Sequence, residues 1–466
     1  MKMIIEAHLV DDVGQTERVE LAAISCELTT DPLGMSLAEG KALLSHVQQY
    51  LVKLQCQSIA SAHAHCDQCN ARLTMKGWHT RQIRTVFGTI TVRSPRVRHC
   101  RCMEKAPGAS FSPLARVVPT SVTPELEYLQ AKWAAHLSYA TATRLLSETL
   151  PIADAISVSG SKRRVRAVAS ALEQTFAHPE KQETELQQPS WLPPITALAV
   201  DSGWLKHCDP PHHQGRHVNL VVGRTCFEGG ETRLYGYVHN QVPSAANRLD
   251  LFLSACGVSQ TERVTIFTDG AAEFEKAVKG SLRPMCRILD WFHIAMKFRA
   301  IEQTALKDPG LQAPNGRSMR DELASCKWLV WHGKARKAVA RLMRMHDAFG
   351  LVPEERFRTL SWNLRQTFWY LRTNDRYLVN YARRRNKKLP ISSAIAESAV
   401  NEVVGWRMAK KRQMRWSDEG AHLLAQVRVC ELNGELRPRA FAFPQRQPRP
   451  ENDAKWDGYL MLTAAA

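Results

Sequence analysis

The sequence predicts an α/β core on a mixed sheet, interrupted by an all-helical block and preceded by two small modules, one cysteine-bearing and one helical. Three observations predict it. Over residues 193–294, apolar runs of strand and helix type follow in the order strand, strand, strand, helix, strand, helix, strand. Residues 295–390 are mostly helical in pattern. Upstream, two close cysteine pairs bracket a hairpin-like stretch, and a polar, aperiodic segment (residues 173–192) reads as the linker to the core.

Length and charge bound the reading. A chain of 466 residues exceeds one compact core and should divide into roughly two to four domains. A net charge of +18 and a pI near 9.5 favour a polyanionic partner, which indicates nucleic acid in general. No apolar run reaches the roughly 18 residues of a membrane span. The opening MKMIIEAHLVDD lacks the apolar core of a signal peptide. A cytoplasmic protein, at the nucleoid when bound to DNA, is therefore expected. Twelve scattered cysteines are expected to stay thiols or to bind metal.

Residues 1–58 read as an N-terminal helical segment, on the helical apolar spacing of SLAEGKALLSHVQQYLVKLQ (residues 36–55). Residues 59–118 carry Cys66-Asp67-Gln68-Cys69 and Cys100-Arg101-Cys102, with thirty residues between the pairs. The span TVFGTITVRSPRVRHC alternates like a hairpin, with Val86, Ile90 and Val92 on strands and Gly88 at the turn. Thiolates bind zinc tetrahedrally, and the ion replaces a core too small to fold alone. A Zn²⁺ ribbon held by Cys66, Cys69, Cys100 and Cys102 is thus expected, with free thiols as the other reading. The second pair is tight, so His65 or His99 could replace one thiolate. Lys76, Arg81, Arg84, Arg93, Arg96, Arg98 and Arg101 would place phosphate contacts around the ribbon.

Residues 119–172 read as short helices. One spans residues 139–149 and breaks at Leu150-Pro151; a turn follows at Ser157, Ser159 and Gly160, and then a basic helix opens with Ser161, Lys162, Arg163, Arg164 and Arg166. That is a helix-turn-helix layout, in which the N-terminal residues of the second helix lead into the major groove; a merely solvated basic face is the alternative.

The core opens with ITALAVD, HVNLVVGRTCF and TRLYGYVH. A helix over residues 245–256, the strand VTIFTD, a helix over residues 271–279 and the strand CRILDWFH complete it. This is the order of the RNase H-like fold, in which the first and fourth strands are neighbours. Asp201 and Asp269 would then meet although 68 positions separate them. Carboxylates at strand ends, with Glu397 on a later amphipathic segment, are what a two-metal phosphoryl-transfer site needs.

Asp201 in AVDSGW, Asp269 in FTDGA, the D-x-x-H pair Asp290 and His293, and Glu397 in ISSAIAESAVNEVVGW together resemble the DDE transposases of bacterial insertion sequences, in the Mutator-like group. The resemblance runs from Cys66 to about Arg428 and implies an RNase H-like core, residues 193–294, with a helical insertion at residues 295–390. The final core helix would be residues 391–430. It implies a catalytic triad of Asp201, Asp269 and Glu397 holding two Mg²⁺ (or Mn²⁺) ions, with Asp290 and His293 beside it as ligand, orienting pair or structural pair. The implied partners are double-stranded DNA, as terminal inverted repeats and target, and further copies of the chain in a paired-end complex. The chain departs from the group in having Ser392-Ser393 where Gly-Ser or Ser-Gly is usual. Glu402, five residues after Glu397, is the alternative third ligand.

In the helical block, Trp328 and Trp331 read as core rather than base platforms, and the basic run over residues 383–388 as a backbone contact. Lys410, Lys411, Arg412 and Arg415, beside Trp416, are expected to grip DNA. Residues 431–466 read as a flexible Pro- and Arg-rich tail. A structure-selective nuclease of the RNase H superfamily would share the carboxylates without needing the two N-terminal modules. A transposase-derived DNA-binding regulator would have lost the carboxylates, and here all three are present.

Overall fold

The computed structural model describes residues 2–10, 14, 16–25, 34–102, 110–118, 120–152, 156–177, 193–208, 217–352, 354–392, 398–408 and 414–437. The chain forms two units, Met1–Val168 with Gly434–Ala466, and Ala169–Asn433. No helix among the described residues is long and apolar enough to cross a membrane.

The first unit opens with a feature that the helical reading of residues 1–58 missed. Strands β1 (Lys2–Val10) and β2 (Thr16–Ser25) pair antiparallel. Their side chains alternate between exposed and partly buried, the period of a half-covered ribbon. Helix α1 (Leu37–Ala62) follows, started by a capping box in which Ser36 and Glu39 satisfy each other's backbone N–H. β3 (Met75–Thr85) and β4 (Gly88–Arg98) form the expected hairpin, and β5 (Ser110–Phe111) adds to β4. The turn falls at Val86-Phe87, not at Gly88. Gly88 begins β4 with φ +122°, a conformation that glycine adopts without strain. Val52 of α1 packs with Ile83, Ile90, Val92 and Leu114 as a small core.

After the short helix α2 (Pro113–Val117), helices α3 (Pro124–His136), α4 (Tyr139–Thr149) and α5 (Val158–Ala177) form the helical module. α5 begins at Val158, so Ser159 and Gly160 belong to its first turn rather than to the preceding turn. Gln130 and Thr143 both donate to the buried Ser161 hydroxyl, at 3.1 Å each, and tie the three helices together. α5 also runs through Glu173, where the linker was expected to begin. Within the second unit, the Glu173 carboxylate accepts from the buried Arg248 at 2.8 Å and lies 3.2 Å from His422. Burial works against its charge, but those two partners hold its carboxyl down at about 2. The expectation of a linker therefore fails over residues 173–177; residues 178–192 lie outside the described residues.

The second unit is built on a five-stranded mixed sheet in the order β10-β9-β6-β7-β8, from β6 (Ile195–Lys206), β7 (His217–Phe227), β8 (Thr232–Val238), β9 (Val264–Thr268) and β10 (Met285–Leu289). β6, β9 and β10 run parallel; β7 and β8 are antiparallel to their neighbours. The expected adjacency of the first and fourth strands is present. Alternate residues of β6 serve two cores. Leu198 and Val200 pack with α6 (Ala245–Ala255) and α7 (Ala272–Gly280), while Ala197 and Ala199 face the helical block.

That block consists of α8 (Trp291–Ala305), α9 (Met319–Trp331), α10 (Ala335–Gly350), α11 (Glu355–Thr373) and α12 (Tyr381–Asn386). The helical pattern of residues 295–390 is broken at the His332-Gly333 turn and after Thr373. Trp331 packs against Trp291 and Tyr381, as expected of core. Trp328 does not: it is 59% exposed and lies over His332. In the basic run, Arg384 turns inward and donates to Pro390 O at 2.9 Å. Helix α13 (Asp418–Leu432) covers β8, with Gln426 donating to Gly236 O at 2.7 Å. Asn433 makes both backbone hydrogen bonds of Leu234. The ordered chain therefore continues past the expected tail boundary at residue 431; residues 438–466 lie outside the described residues.

Candidate metal centres

The parallel register of the sheet builds the acidic centre. The β6–β9 ladder ends in the pair Val200↔Thr268, and the next residues are Asp201 and Asp269. The β9–β10 ladder ends in Leu289↔Thr268, and the next residue, Asp290, donates its N–H to Thr268 O at 3.0 Å. Three aspartates thus stand in a row where the parallel ladders end: Asp269 and Asp290 directly follow β9 and β10, whereas Asp201, expected at a strand end, lies within β6, which continues along β7 to Lys206. Open α/β sheets place their ligands at this edge of the parallel strands.

Each aspartate is held differently. Asp201 Oδ1 accepts from the Ser202 N–H at 2.7 Å. Asp269 Oδ1 accepts from the Ala271 N–H at 2.8 Å, the turn that frees its other oxygen. Arg287, buried on β10, donates to Asp269 O at 2.9 Å and to Ala271 O at 3.2 Å, which fastens that turn to the sheet. Asp290 is fully buried and caps α8: Oδ1 accepts from the Phe292 N–H at 2.8 Å, and Oδ2 lies 2.9 Å from His293 Nδ1. With Nδ1 donating to Asp290, Nε2 of His293 is left as an acceptor, the usual arrangement behind a metal-bound imidazole.

Asp201, Asp269 and His293 each offer one ligand atom, and all three atoms lie within 4.8 Å of one another. Burial is the main cause that raises both aspartate carboxyls, with neighbouring acids adding to it. The hydrogen bond to Asp290 is the main cause that raises His293. Half-buried carboxylates that repel each other and point at a common space beside an imidazole fit a divalent cation with O and N ligands. This carries a testable sign. The folded state holds the aspartate protons more tightly than the unfolded chain does. Their contribution to metal-free stability is therefore present at low pH and is lost as pH rises through the raised carboxyl range. A bound cation inverts that dependence. The rise in Tm produced by Mn²⁺ should accordingly be small near about pH 4.5 and grow towards about pH 7; a pH-independent rise would place the ion elsewhere.

Three residues here were not read from the sequence. Arg287 was signalled only by an arginine inside an apolar strand. Glu273, four residues after Asp269, accepts from Asn219 at 2.8 Å and from Ser202 at 3.2 Å and helps to raise Asp269. Tyr370 of α11 lies against Gly270, where a Cβ would come within 2.5 Å of its ring; that contact requires glycine after Asp269.

Glu397, Lys410, Lys411 and Arg412 lie outside the described residues. The chain resumes in helical form at residues 398–400 and continues through a π-helical turn, Asn401–Gly405. Val400 and Val404 pack on Gly203 of β6, two residues beyond Asp201: a Cβ there would lie 2.9 Å from Val404 Cγ2. Gly203→Ala should overpack this contact and cost about 1–3 kcal/mol in thermal unfolding; an unchanged Tm would mean that the segment yields freely. Glu402, the alternative ligand, pairs with Arg224 and stands outside the described acidic group. Arg415 is exposed, next to Trp416, which pairs with the end of β6 through Lys206 O at 2.9 Å.

The second centre lies in the first unit. Cys66, Cys69, Cys100 and Cys102 bring their sulfurs within 4.8 Å of one another, with contacts of 3.3 and 3.4 Å. Those distances are too long for disulfides and close to the roughly 3.7 Å edge of a tetrahedron with about 2.3 Å Zn–S bonds. Asn70, with φ +56°, turns the first knuckle so that backbone N–H groups of Cys69 and Gln68 face Cys66, whose thiol is lowered to about 7. The Cys102 N–H is the main cause that lowers Cys100. The four thiols can hold a zinc ion. His65 and His99 are not part of the group; His99 lies 4.8 Å from Phe111 instead.

Not all of the basic residues expected at DNA face solvent. Arg81 donates to Ser121 Oγ at 3.0 Å and to Val118 O, and burial lowers its pKa. Arg164 donates to Gln130 Oε1 at 2.5 Å and is half-buried. Both brace the fold. Lys76, Arg93, Arg96 and Arg98 lie exposed on the hairpin, and Lys162 and Arg163 lie exposed on α5.

Fold and sites together define a two-unit α/β protein with a four-thiol cluster and a separate Asp-Asp-His cluster on a mixed sheet. No protein-family model matches the chain, and no curated protein matches it significantly.

Proposed function

We propose that the chain is a DDE-type DNA transposase of an insertion sequence, with an RNase H-like catalytic unit. The observation that carries the reading is the row of Asp201, Asp269 and Asp290 where the parallel ladders of three adjacent strands end, with His293 turned into it. Asp201 and Asp269 would hold the catalytic Mg²⁺ or Mn²⁺ ions together with Glu397, whose following residues pack beside Asp201 at Gly203. When bound, two such ions supply Lewis acidity to both oxygens of an in-line displacement at phosphorus.

The reaction would be hydrolysis of a phosphodiester at the element end, followed by attack of the freed 3′-hydroxyl on target DNA. No covalent enzyme–DNA intermediate is needed. Asp290 keeps Nδ1 of His293 occupied and so aims Nε2 at the reacting centre. Arg287 and Gly270 hold the Asp269 turn in place. The zinc ribbon and the helix-turn-helix module would recognise terminal inverted repeats through Lys76, Arg93, Arg96, Arg98, Lys162 and Arg163. Two ends must be joined, so the working form would contain more than one copy of the chain.

The test is a cleavage assay on the full chain with DNA carrying the gene's own flanks, in Mg²⁺ or Mn²⁺. Metal-dependent nicking at the element boundary supports the reading. Cutting that follows DNA structure and ignores the boundary would instead indicate a structure-selective nuclease. Binding to the ends without any cutting would indicate a regulator.

A further inference from the structure

Helix α11 has two contrasting faces. Phe357, Leu360, Leu364, Phe368 and Leu371 are buried in the core of the helical block. On the opposite side Arg358, Trp362, Arg365, Trp369 and Arg372 recur at spacings of four, three, four and three residues, so they form one exposed stripe. Trp362 is 57% exposed and Trp369 46% exposed. An ordinary solvated face would carry charged or small polar residues where these indoles stand. No acidic residue interrupts the stripe, and no carboxylate among the described residues pairs with the three arginines. The Arg372 guanidinium lies 5.1 Å from the centre of the Trp369 ring, which stiffens the platform.

The stripe also has a direction. Asn363 donates to Thr304 of α8 at 2.9 Å, and Lys297 of α8 lies over the Tyr370 ring at 4.6 Å. The two helices therefore run antiparallel, and Tyr370 rests on Gly270, the neighbour of Asp269. The Trp369 and Arg372 end of the stripe is consequently the end beside the acidic centre.

We infer that this face of α11 is a docking track for an unpaired DNA strand, with bases stacked on Trp362 and Trp369 and phosphates on Arg358, Arg365 and Arg372. Seven residues of helix separate the indoles by about 10 Å along the axis, roughly three base steps. Stacking of this kind tolerates any sequence because every base has a π-face, and it requires bases that a duplex keeps paired. The track would receive the strand separated at the scission point. That role rests on the function proposed above; the binding itself does not.

The experiment measures binding of the full chain to fluorescein-labelled oligo(dT) and to a blunt duplex, without divalent ions. The W362A/W369A variant should bind oligo(dT) at least about tenfold more weakly per tryptophan removed, while duplex affinity changes little. W362Y/W369Y should retain most of the affinity. R358Q/R365Q/R372Q should lower the salt-dependence slope for the single strand by about 2. Unchanged oligo(dT) binding by the alanine variant overturns the inference, as does an equal loss on duplex. So does a sedimentation shift from dimer to monomer at unchanged strand affinity, which would make the face a contact between copies. Because no cleavage is read, a protein that binds oligo(dT) through the stripe but never nicks its own flanks would lose only the transposase reading.

Discussion

Asp269→Asn is expected to lower metal-dependent cleavage at the element boundary by about 10³-fold or more, while leaving the protein folded. A carboxylate that holds a cation at the scissile phosphate contributes several kcal/mol to the transition state, and about 1.4 kcal/mol corresponds to a factor of ten in rate. The variant keeps the local structure, because an amide oxygen can still accept from the Ala271 N–H and Arg287 still anchors the backbone carbonyl. It also removes one of the acids that burial and mutual repulsion disfavour. The metal-free protein should therefore unfold at the same temperature as wild type or slightly higher. Loss of cleavage with a raised or unchanged Tm separates a catalytic role from a structural one. A variant that is merely destabilised, or one that cuts normally, would remove Asp269 from the chemistry.

The second large effect concerns the cysteine cluster. Among the described residues the apolar cluster around it is small: Cys66, Leu73 and Val97, with Cys100 and Phe111 packed alongside. So small a core does little to offset the conformational entropy of two loops, and the free energy of a zinc ion held by the four thiols would become folding free energy there. Cys66→Ser is expected to lose one zinc per chain by metal analysis and to open the knuckle region to proteolysis. The far end of the hairpin, held by Val52, Ile83, Ile90, Val92 and Leu114, should stay protected. Chelation of the wild-type protein should reproduce the pattern, and zinc should reverse it. A fully protected, zinc-free variant would show that hydrogen bonding and packing suffice.

Much of this architecture could be read from residue order. The alternating runs from Ile195 to Leu289 carry enough periodicity to specify five strands and two helices, and the D-G and D-W-F-H endings mark where each strand stops. The cysteine spacing pointed to the four thiols that converge. Errors fell where local signals are weak or compete. The N-terminal ribbon was hidden because the adjacent apolar pairs Ile4-Ile5 and Leu9-Val10 break the strand alternation of β1, and both strands are largely exposed. Arg81 and Arg164 carry the same charge as their solvent-facing neighbours, and nothing local tells a buried guanidinium from a free one. The split of the helical block at His332-Gly333 and after Thr373 depends on turns without proline.

What the sequence determined by itself is the inventory: an α/β unit, a thiol cluster, acids in or just after strands and an excess of positive charge. These follow from side-chain periodicity and chemistry, which act over a few residues. The expected meeting of Asp201 and Asp269 comes from the parallel register that aligns β6 with β9, but only the tertiary structure decided the contacts around them. Gly203 matters because Val404, two hundred residues later, needs its space. Trp362 and Trp369 form a platform because the helix buries its other face. Such contacts arise from packing at long sequence separation, where loop closure and close-packed volume select one arrangement from many that the local pattern allows.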